Sequence, residues 1–326
     1  MEVTVPVTVA VCTYQRPGTL ARALGSLVSQ RPSAAEILVV DNSPDRSALD
    51  LVGRTFPGIR AVAEPVQGLD FARNRALADA THDIVLFLDD DAIAGPGWVE
   101  AATRPLLDDP AVGASTGRVE PLSLDSEGQK LFEANGGFSR GPWSIRLPAD
   151  AGKPLHGRRA PLIAWAVSVG SGCSLAVRRD TALGLGGFDQ ALDLGPALPG
   201  GGDHDMLWRI LQAGYSVVYQ PGAVAHHEHR RELKDAENQI VGHQKALIAL
   251  LTKHVGQTAG LRRWTVAAFL GWRLLKPGVR LARRLAGKDP LPAALLLRMW
   301  GNCWLGLGAY RRGQALARRR IAEAGA

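Results

Sequence analysis

A chain of 326 residues, 46% of them hydrophobic, can bury a substantial core, which excludes a disordered or fibrous polypeptide. Its three cysteines, Cys12, Cys173 and Cys303, are odd in number and far apart, which excludes a disulfide framework and offers no zinc spacing. The net charge of +7 is unevenly placed: from Val255 onward fourteen Lys and Arg face two acids, while the first 254 residues carry 24 against 29, an acidic body with a basic tail.

The opening, MEVTVPVTVAVCTYQRP, has Glu2 where a secretory signal would carry basic residues, and no small-residue cleavage site follows, so a cytoplasmic chain is expected. Apolar runs then alternate with helical patterns: VTVAVCTY and GTLARALGSLVSQ, EILVVD and RSALDLVGRTF, IRAVAE and LDFARNRALADA, DIVLFLD and GWVEAATRPLLDD. β-Branched residues crowd the strands and Pro or Gly separates the units, which predicts an α/β fold with a mostly parallel central sheet and helices on both faces. An irregular stretch runs from about Pro121 to Pro161, with Trp143 and Trp165 near it, and is expected to shape an acceptor site. Order resumes with SVGSGCSLAVRRD, a helix DHDMLWRILQAGY and a strand SVVYQP; beyond His229 the pattern is helical, with breaks expected at Pro277 and at KDPLP. This divides the chain into a body over 1–230 and a basic helical region over 231–326.

Ligands of open parallel sheets bind outside the carboxyl ends of the strands, and polar residues gather at those ends. Thr13, Tyr14, Gln15 and Arg16 follow the first strand, Asp41 and Asn42 end the second, Glu64 follows the third, and Asp89, Asp90 and Asp91 end the fourth. Bare carboxylates about 4 Å apart at an effective dielectric near 20 repel by about 4 kcal/mol per pair, so a positive partner is expected. Strand alternation puts Asp89 and Asp91 on one side and Asp90 on the other, a spacing that suits Mg²⁺ or Mn²⁺.

The ordered blocks VAVCTYQRPGTLARALGSLVSQ, EILVVDNSPD, GLDFARNRALADATHDIVLFLDDDA and GGFDQALDLGPALPGGGDHDMLWRILQAGYSVVYQPGAVAHHEHR resemble the family 2 glycosyltransferases of GT-A fold, over about the first 230 residues. The resemblance implies that Thr13, Tyr14, Arg16 and Asp41 line a nucleoside pocket with Arg73 and Asn74 beside it. It makes Asp89 and Asp91 an Asp-x-Asp pair on ribose and metal, and Asp90 goes with the donor contacts. The later block commonly reads Glu-Asp-x-Asp with the Asp after Glu as catalytic base; here Gly202-Asp203-His204-Asp205 puts Asp203 in that position, without the Glu, and leaves Asp205 able to share the role. GT-A enzymes often take a late histidine as metal or phosphate ligand, which favours His227 among His226, His227 and His229; His229 shares its face in an extended segment, and a zinc site is the alternative.

Asp203 also reads from the residues alone as a helix N-cap, a role compatible with that of a base. In the tail, Arg273, Lys276, Arg280 and Arg283 form one helical stripe and Leu274, Leu281 and Leu285 another, with Trp264, Trp272, Trp300 and Trp304 nearby. That combination predicts a helix lying on an anionic membrane surface at its inner face, without a spanning segment. Nucleic acid is not expected as a partner, because the acidic body would repel phosphates. The expected activity is metal-dependent, inverting transfer of a sugar from a nucleoside diphosphate to an acceptor hydroxyl. The alternatives are a sugar-phosphate nucleotidylyltransferase, which would need a Gly-rich basic loop after the first strand, and a non-catalytic membrane adaptor, which would not keep these acids.

Overall fold

The computed structural model describes residues 4–152 and 160–325; Glu2 and residues 153–159 of the irregular stretch lie outside the described residues. The β-branched run at the start forms β1 (Thr4–Thr13), followed by α1 (Pro17–Val28), β2 (Ser33–Asp41), α2 (Ser47–Thr55), β3 (Arg60–Ala63), α3 (Leu69–Asp79) and β4 (Ile84–Leu88). β1 lies between β2 and β4 and β2 pairs with β3, all parallel, with Thr13 opposite Asp41 and Asp41 opposite Ala63. The carboxyl ends of these strands therefore share one edge. Alternation within β4 feeds two layers: Val85 and Phe87 pack with Ala72, Met206 and Leu207 on one face, Ile84, Leu86 and Leu88 with Leu20, Leu24 and Trp98 on the other. Burial on both faces is why β4 reads as a continuous apolar run.

After β5 (Ala92–Ala94) and α4 (Trp98–Asp108) come β6 (Val112–Pro121), α5 (Glu127–Ala134), β7 (Ile145–Leu147), α6 (Leu162–Ala166), β8 (Ser174–Arg178), α7 (Arg179–Gly184), α8 (Gly202–Gln212) and β9 (Ser216–His227). The sheet runs β3-β2-β1-β4-β8-β6-β9-β5, with β7 also on β9. β8 is antiparallel to both β4 and β6, while β6 and β9 are parallel, so the half beyond β4 is mixed. β9 continues past Pro221, where the expected strand stops, because a register irregularity between Gly117 and Arg118 of β6 absorbs the proline.

The irregular stretch is more ordered than its composition predicts. Ser126 and Gln129 form a reciprocal capping box that starts α5, a signal legible in the sequence as Ser-x-x-Gln. The helical region is α9 (Leu233–Gln257), α10 (Gly260–Leu285), α11 (Ala293–Gly306) and α12 (Ala309–Ala324). The chain breaks at KDPLP, as expected, but not at Pro277, which sits buried inside α10. Proline at 277 removes the helical donor to the carbonyl of Arg273, and the Cys303 thiol of α11 supplies one in its place, 3.9 Å from that oxygen. The neighbouring helix offsets the loss, so α10 continues.

Candidate active site

The shared strand edge opens into a cavity of about 1030 Å³. On its floor Thr13 Oγ1 donates to Asp90 Oδ2 at 2.7 Å, and Arg16 Nη1 reaches Asp90 Oδ1 at 3.2 Å and Asp91 Oδ2 at 2.8 Å. The strand ends at Leu88, and Asp90 and Asp91 form a turn closed by Ala92 N donating to Asp89 O, which still brings Asp89 and Asp91 together. Arg16 is thus part of the positive charge that the acids call for.

His227 reaches the same place through sheet register. The antiparallel ladder sets Ala92 opposite His227, and Glu228 N donates to Asp91 O at 2.9 Å. His227 Nε2 then lies 3.2 Å from Asp91 Oδ1, and ligand atoms of Asp89, Asp91 and His227 all fall within 4.8 Å of one another. His227 Nδ1 is 3.0 Å from His229 Nδ1, whose Nε2 is 2.8 Å from Glu133 Oε1 on α5. Glu133 accepts from His229 Nε2–H, and the two Nδ1 atoms share one proton; with that proton on His227 its Nε2 lone pair is free for a cation, whereas without an ion a proton on Nε2 makes the contact to Asp91. A lone pair facing a carboxylate needs a cation between or on them, and a hard divalent ion fits that donor set.

Burial shifts each acid from its ordinary value. Burial, then the adjacent Asp91, push Asp89 up to about 6 and also raise Asp90. At Asp91 burial is outweighed by the His227 hydrogen bond and charge and by Arg16, leaving its carboxyl well below the usual range. Burial opposes charge on His227, but Asp91 prevails and raises it.

A second group of acids surrounds Arg73. This guanidinium, almost wholly buried, is 3.0 Å from Asp70 and 3.5 Å from Asp193. Asp203, in the first turn of α8, accepts from Gly172 N and His204 N, both at 2.7 Å, and lines the cavity with Arg73. Burial raises its carboxyl, but His204, Arg73 and the two N–H groups outweigh this and hold it below the ordinary value. Gly202, where the motif usually has Glu, leaves no space for a side chain: a Cβ there would meet Asp70 Oδ2 at 1.9 Å. The carboxylate of Asp70 occupies that space, delivered from α3.

Three sequence-predicted residues stand apart from the cavity. Asp41 is fully buried and accepts from Ser43 N, Ala48 N and Leu49 N, holding the start of α2; its neighbour Asn42 lines the cavity. Asn74 turns to the backbone of Phe188, accepting from its N and donating to its O. Asp205 is buried among Arg209 (2.7 Å), Lys253 (2.5 Å) and His254 (2.9 Å). It ties α8 to α9, with Lys253 also 2.6 Å from Asp189. Tyr14, at the end of β1, does line the cavity.

Sequence reasoning missed the wall built by the helical region: His243, Gln244, Arg273, Asn302 and Arg320 line the cavity. Only the polar break Gly242-His243-Gln244-Lys245 in the apolar pattern of α9 signalled it. From the irregular stretch, Phe132, Phe138 and Arg140 line it, whereas Trp165 is buried elsewhere and Trp143 is exposed.

The sequence matches the Glycosyl transferase family 2 profile over residues 8–181. It is similar to the pre-mycofactocin glycosyltransferase of Mycobacterium tuberculosis, 28% identical over 85% of this chain and 54% of that protein, so the chain spans about half the length of that relative. It is also similar to the succinoglycan biosynthesis protein ExoM of Rhizobium meliloti, 29% identical over 68% of this chain and 67% of the other. In fold it is similar to the mannosyltransferase PcManGT of Pyrobaculum calidifontis, solved with GDP-Man and Mn²⁺: TM-score 0.57, 22% identity, covering 98% of this chain and 86% of that one. With a GT-A-type sheet and a profile match over more than half its length, the chain belongs to glycosyl transferase family 2.

Proposed function

We propose that the chain is a divalent-cation-dependent, inverting glycosyltransferase that moves a sugar from a nucleoside diphosphate to a hydroxyl of a saccharide, lipid-linked saccharide or small-molecule acceptor. The observation that carries this reading is that Asp203 and the Asp89, Asp91 and His227 group line one cavity. Family membership and the fold neighbour solved with GDP-Man and Mn²⁺ agree with it. Thr13 and Arg16 set the acids at the donor end, and Asp89, Asp91 and His227 would hold Mg²⁺ or Mn²⁺. Such an ion supplies Lewis-acid stabilisation to a leaving diphosphate.

Asp203 is ionised at neutral pH and oriented by two backbone donors, with lone pairs left for a hydroxyl. It would take the acceptor proton as that oxygen bonds to the anomeric carbon and the bond from carbon to diphosphate oxygen breaks. One base and one displacement give inversion. Asp205, saturated by cations, is an anchor in this scheme and not a base. Incubation with nucleotide sugars and acceptors, with Mn²⁺ or with chelator, tests the reading: cation-dependent product of inverted anomeric configuration is expected, and a retained configuration would sink the mechanism.

We also infer that the helical region rests on an anionic membrane, through a different ridge from the predicted stripe. Arg280 is paired with Asp289 and Asn135 and Arg273 faces the cavity, while Trp300 packs against Gly278. The exposed ridge of α10 is Leu261 (86% exposed), Trp264 (71%), Trp272, Leu275 and Val279, flanked by Arg262, Arg263, Arg283 and Arg284. Trp304 and Leu305 of α11 are exposed as well. Apolar side chains with basic flanks suit an anionic interface, and among the described residues no helix is long and apolar enough to cross a membrane.

A further inference from the structure

The cavity is divided by charge. Its donor end holds Asp89, Asp90, Asp91, Asp193 and Asp203 with Arg16 and Arg73 paired among them, whereas the wall from α10 presents Arg273. Arg273 Nη2 donates to Gln244 Oε1 at 3.1 Å, but its Nε is buried with no partner, and among the described residues no hydrogen bond reaches Nη1. Among the described residues no carboxylate pairs with it. Asp289, just past the end of α10, is bound by Arg280 at 2.8 and 3.0 Å. Burial and the proximity of Arg280 drag Arg273 down to about 10, and Arg273 in turn lowers Lys276 to about 8. A guanidinium removed from water without an anion is expensive, and its planar fork matches a carboxylate or phosphate in two hydrogen bonds.

We propose that Arg273 binds an anionic group of the acceptor, a carboxylate or phosphate, on the cavity wall built by α10. The inference rests on the transferase reading and names its acceptor class. Asn302 beside Arg273 and the neutral His243 can share the acceptor's hydroxyls: burial lowers His243 to about 4, and its ring packs against Phe132 and Phe138. The Asp203 carboxylate repels an acid beside it, so such an acceptor binds with its acid on Arg273 and its hydroxyl toward Asp203.

Calorimetry on the full chain at low ionic strength, with matched probes, tests this: glycerol 3-phosphate against glycerol, glucuronic acid against glucose, and inorganic phosphate alone. At least one organic anion should bind tenfold or more tightly than its neutral partner and more tightly than inorganic phosphate. Arg273→Gln should abolish that preference and Arg273→Lys retain part of it, while both keep the thermal shift given by nucleoside diphosphate with Mn²⁺, which reports an intact fold. Equal binding of acid and neutral probes, or a preference that survives Arg273→Gln, would overturn the site. Inorganic phosphate binding as tightly as the organic anions would overturn its assignment to the acceptor. Anion binding at Arg273 in a protein that neither binds nor consumes nucleotide sugars would instead defeat the transferase reading.

Discussion

His227 and His229 face each other through their Nδ1 atoms at 3.0 Å, so one ring must donate and the other accept. Glu133 biases which: it accepts the His229 Nε2–H and so favours the form in which His229 Nδ1 accepts from His227, freeing His227 Nε2 for an ion beside Asp91. Glu133→Ala should weaken Mn²⁺ binding about 10-fold to 100-fold, measured by electron paramagnetic resonance of free Mn²⁺. Glu133→Gln should be milder, because its amide oxygen still accepts. Wild-type affinity in Glu133→Ala would remove the positioning role.

The same cluster sets a pH dependence. The pairing of His227 with Asp91 stabilises the metal-free fold above the ordinary Asp value and is lost as pH rises through the elevated His227 value. Asp89, raised to about 6, also opposes folding once ionised. The melting temperature of metal-free protein should therefore fall between about pH 5 and 8. The added stabilisation by Mn²⁺ should grow over that interval as the ion replaces the proton. A Mn²⁺ shift that shrinks with rising pH would contradict this.

Asp203 and Asp205 should separate cleanly. Asp203→Asn keeps a helix-start acceptor, so it should cost little stability but lower single-turnover transfer by roughly 10² to 10⁴ fold. Asp205→Asn leaves Lys253 and Arg209 short of their buried counter-charge and should destabilise by about 3–5 kcal/mol in urea unfolding. The sequence leaves Asp205 able to share the role of base, because local pattern says nothing of the cations that α9 brings to it. Normal transfer by Asp203→Asn would reduce that residue to a structural acceptor for Gly172 N and His204 N.

The ridge of α10 is testable without activity. Leu261→Ser with Trp264→Ser should release the full chain from anionic liposomes in flotation, with no loss of melting temperature because both side chains are exposed. Arg280→Gln should not, since that side chain is turned inward. Wild-type protein that ignores anionic liposomes would end the membrane reading.

The strand ends were legible because chemistry and periodicity coincide there: Asp89 to Asp91 continue an apolar run, and Thr13 and Arg16 follow another. What local pattern cannot show is direction. Asn42 lines the cavity where Asp41 is expected, because the turn into α2 claims the aspartate's oxygens for backbone N–H groups. The basic stripe of α10 was visible, but a stripe has the same period whether it faces water or a cavity. The contact of His227 with Asp91 rests on pairing across 135 residues, which only the sheet supplies.

The close approach of Asp70 to Gly202 has a consequence for descent. Two residues 132 positions apart compete for one volume, so a side chain at 202 requires Asp70 to move or to change. A glutamate restored at 202 alone should clash and unfold the site, whereas Asp70→Gly together with Gly202→Glu should recover stability that neither single change keeps. Across related chains an acid at one of these positions should accompany a small or uncharged residue at the other, an exclusion pattern through which an aligned set of sequences would reveal the packing without a structure.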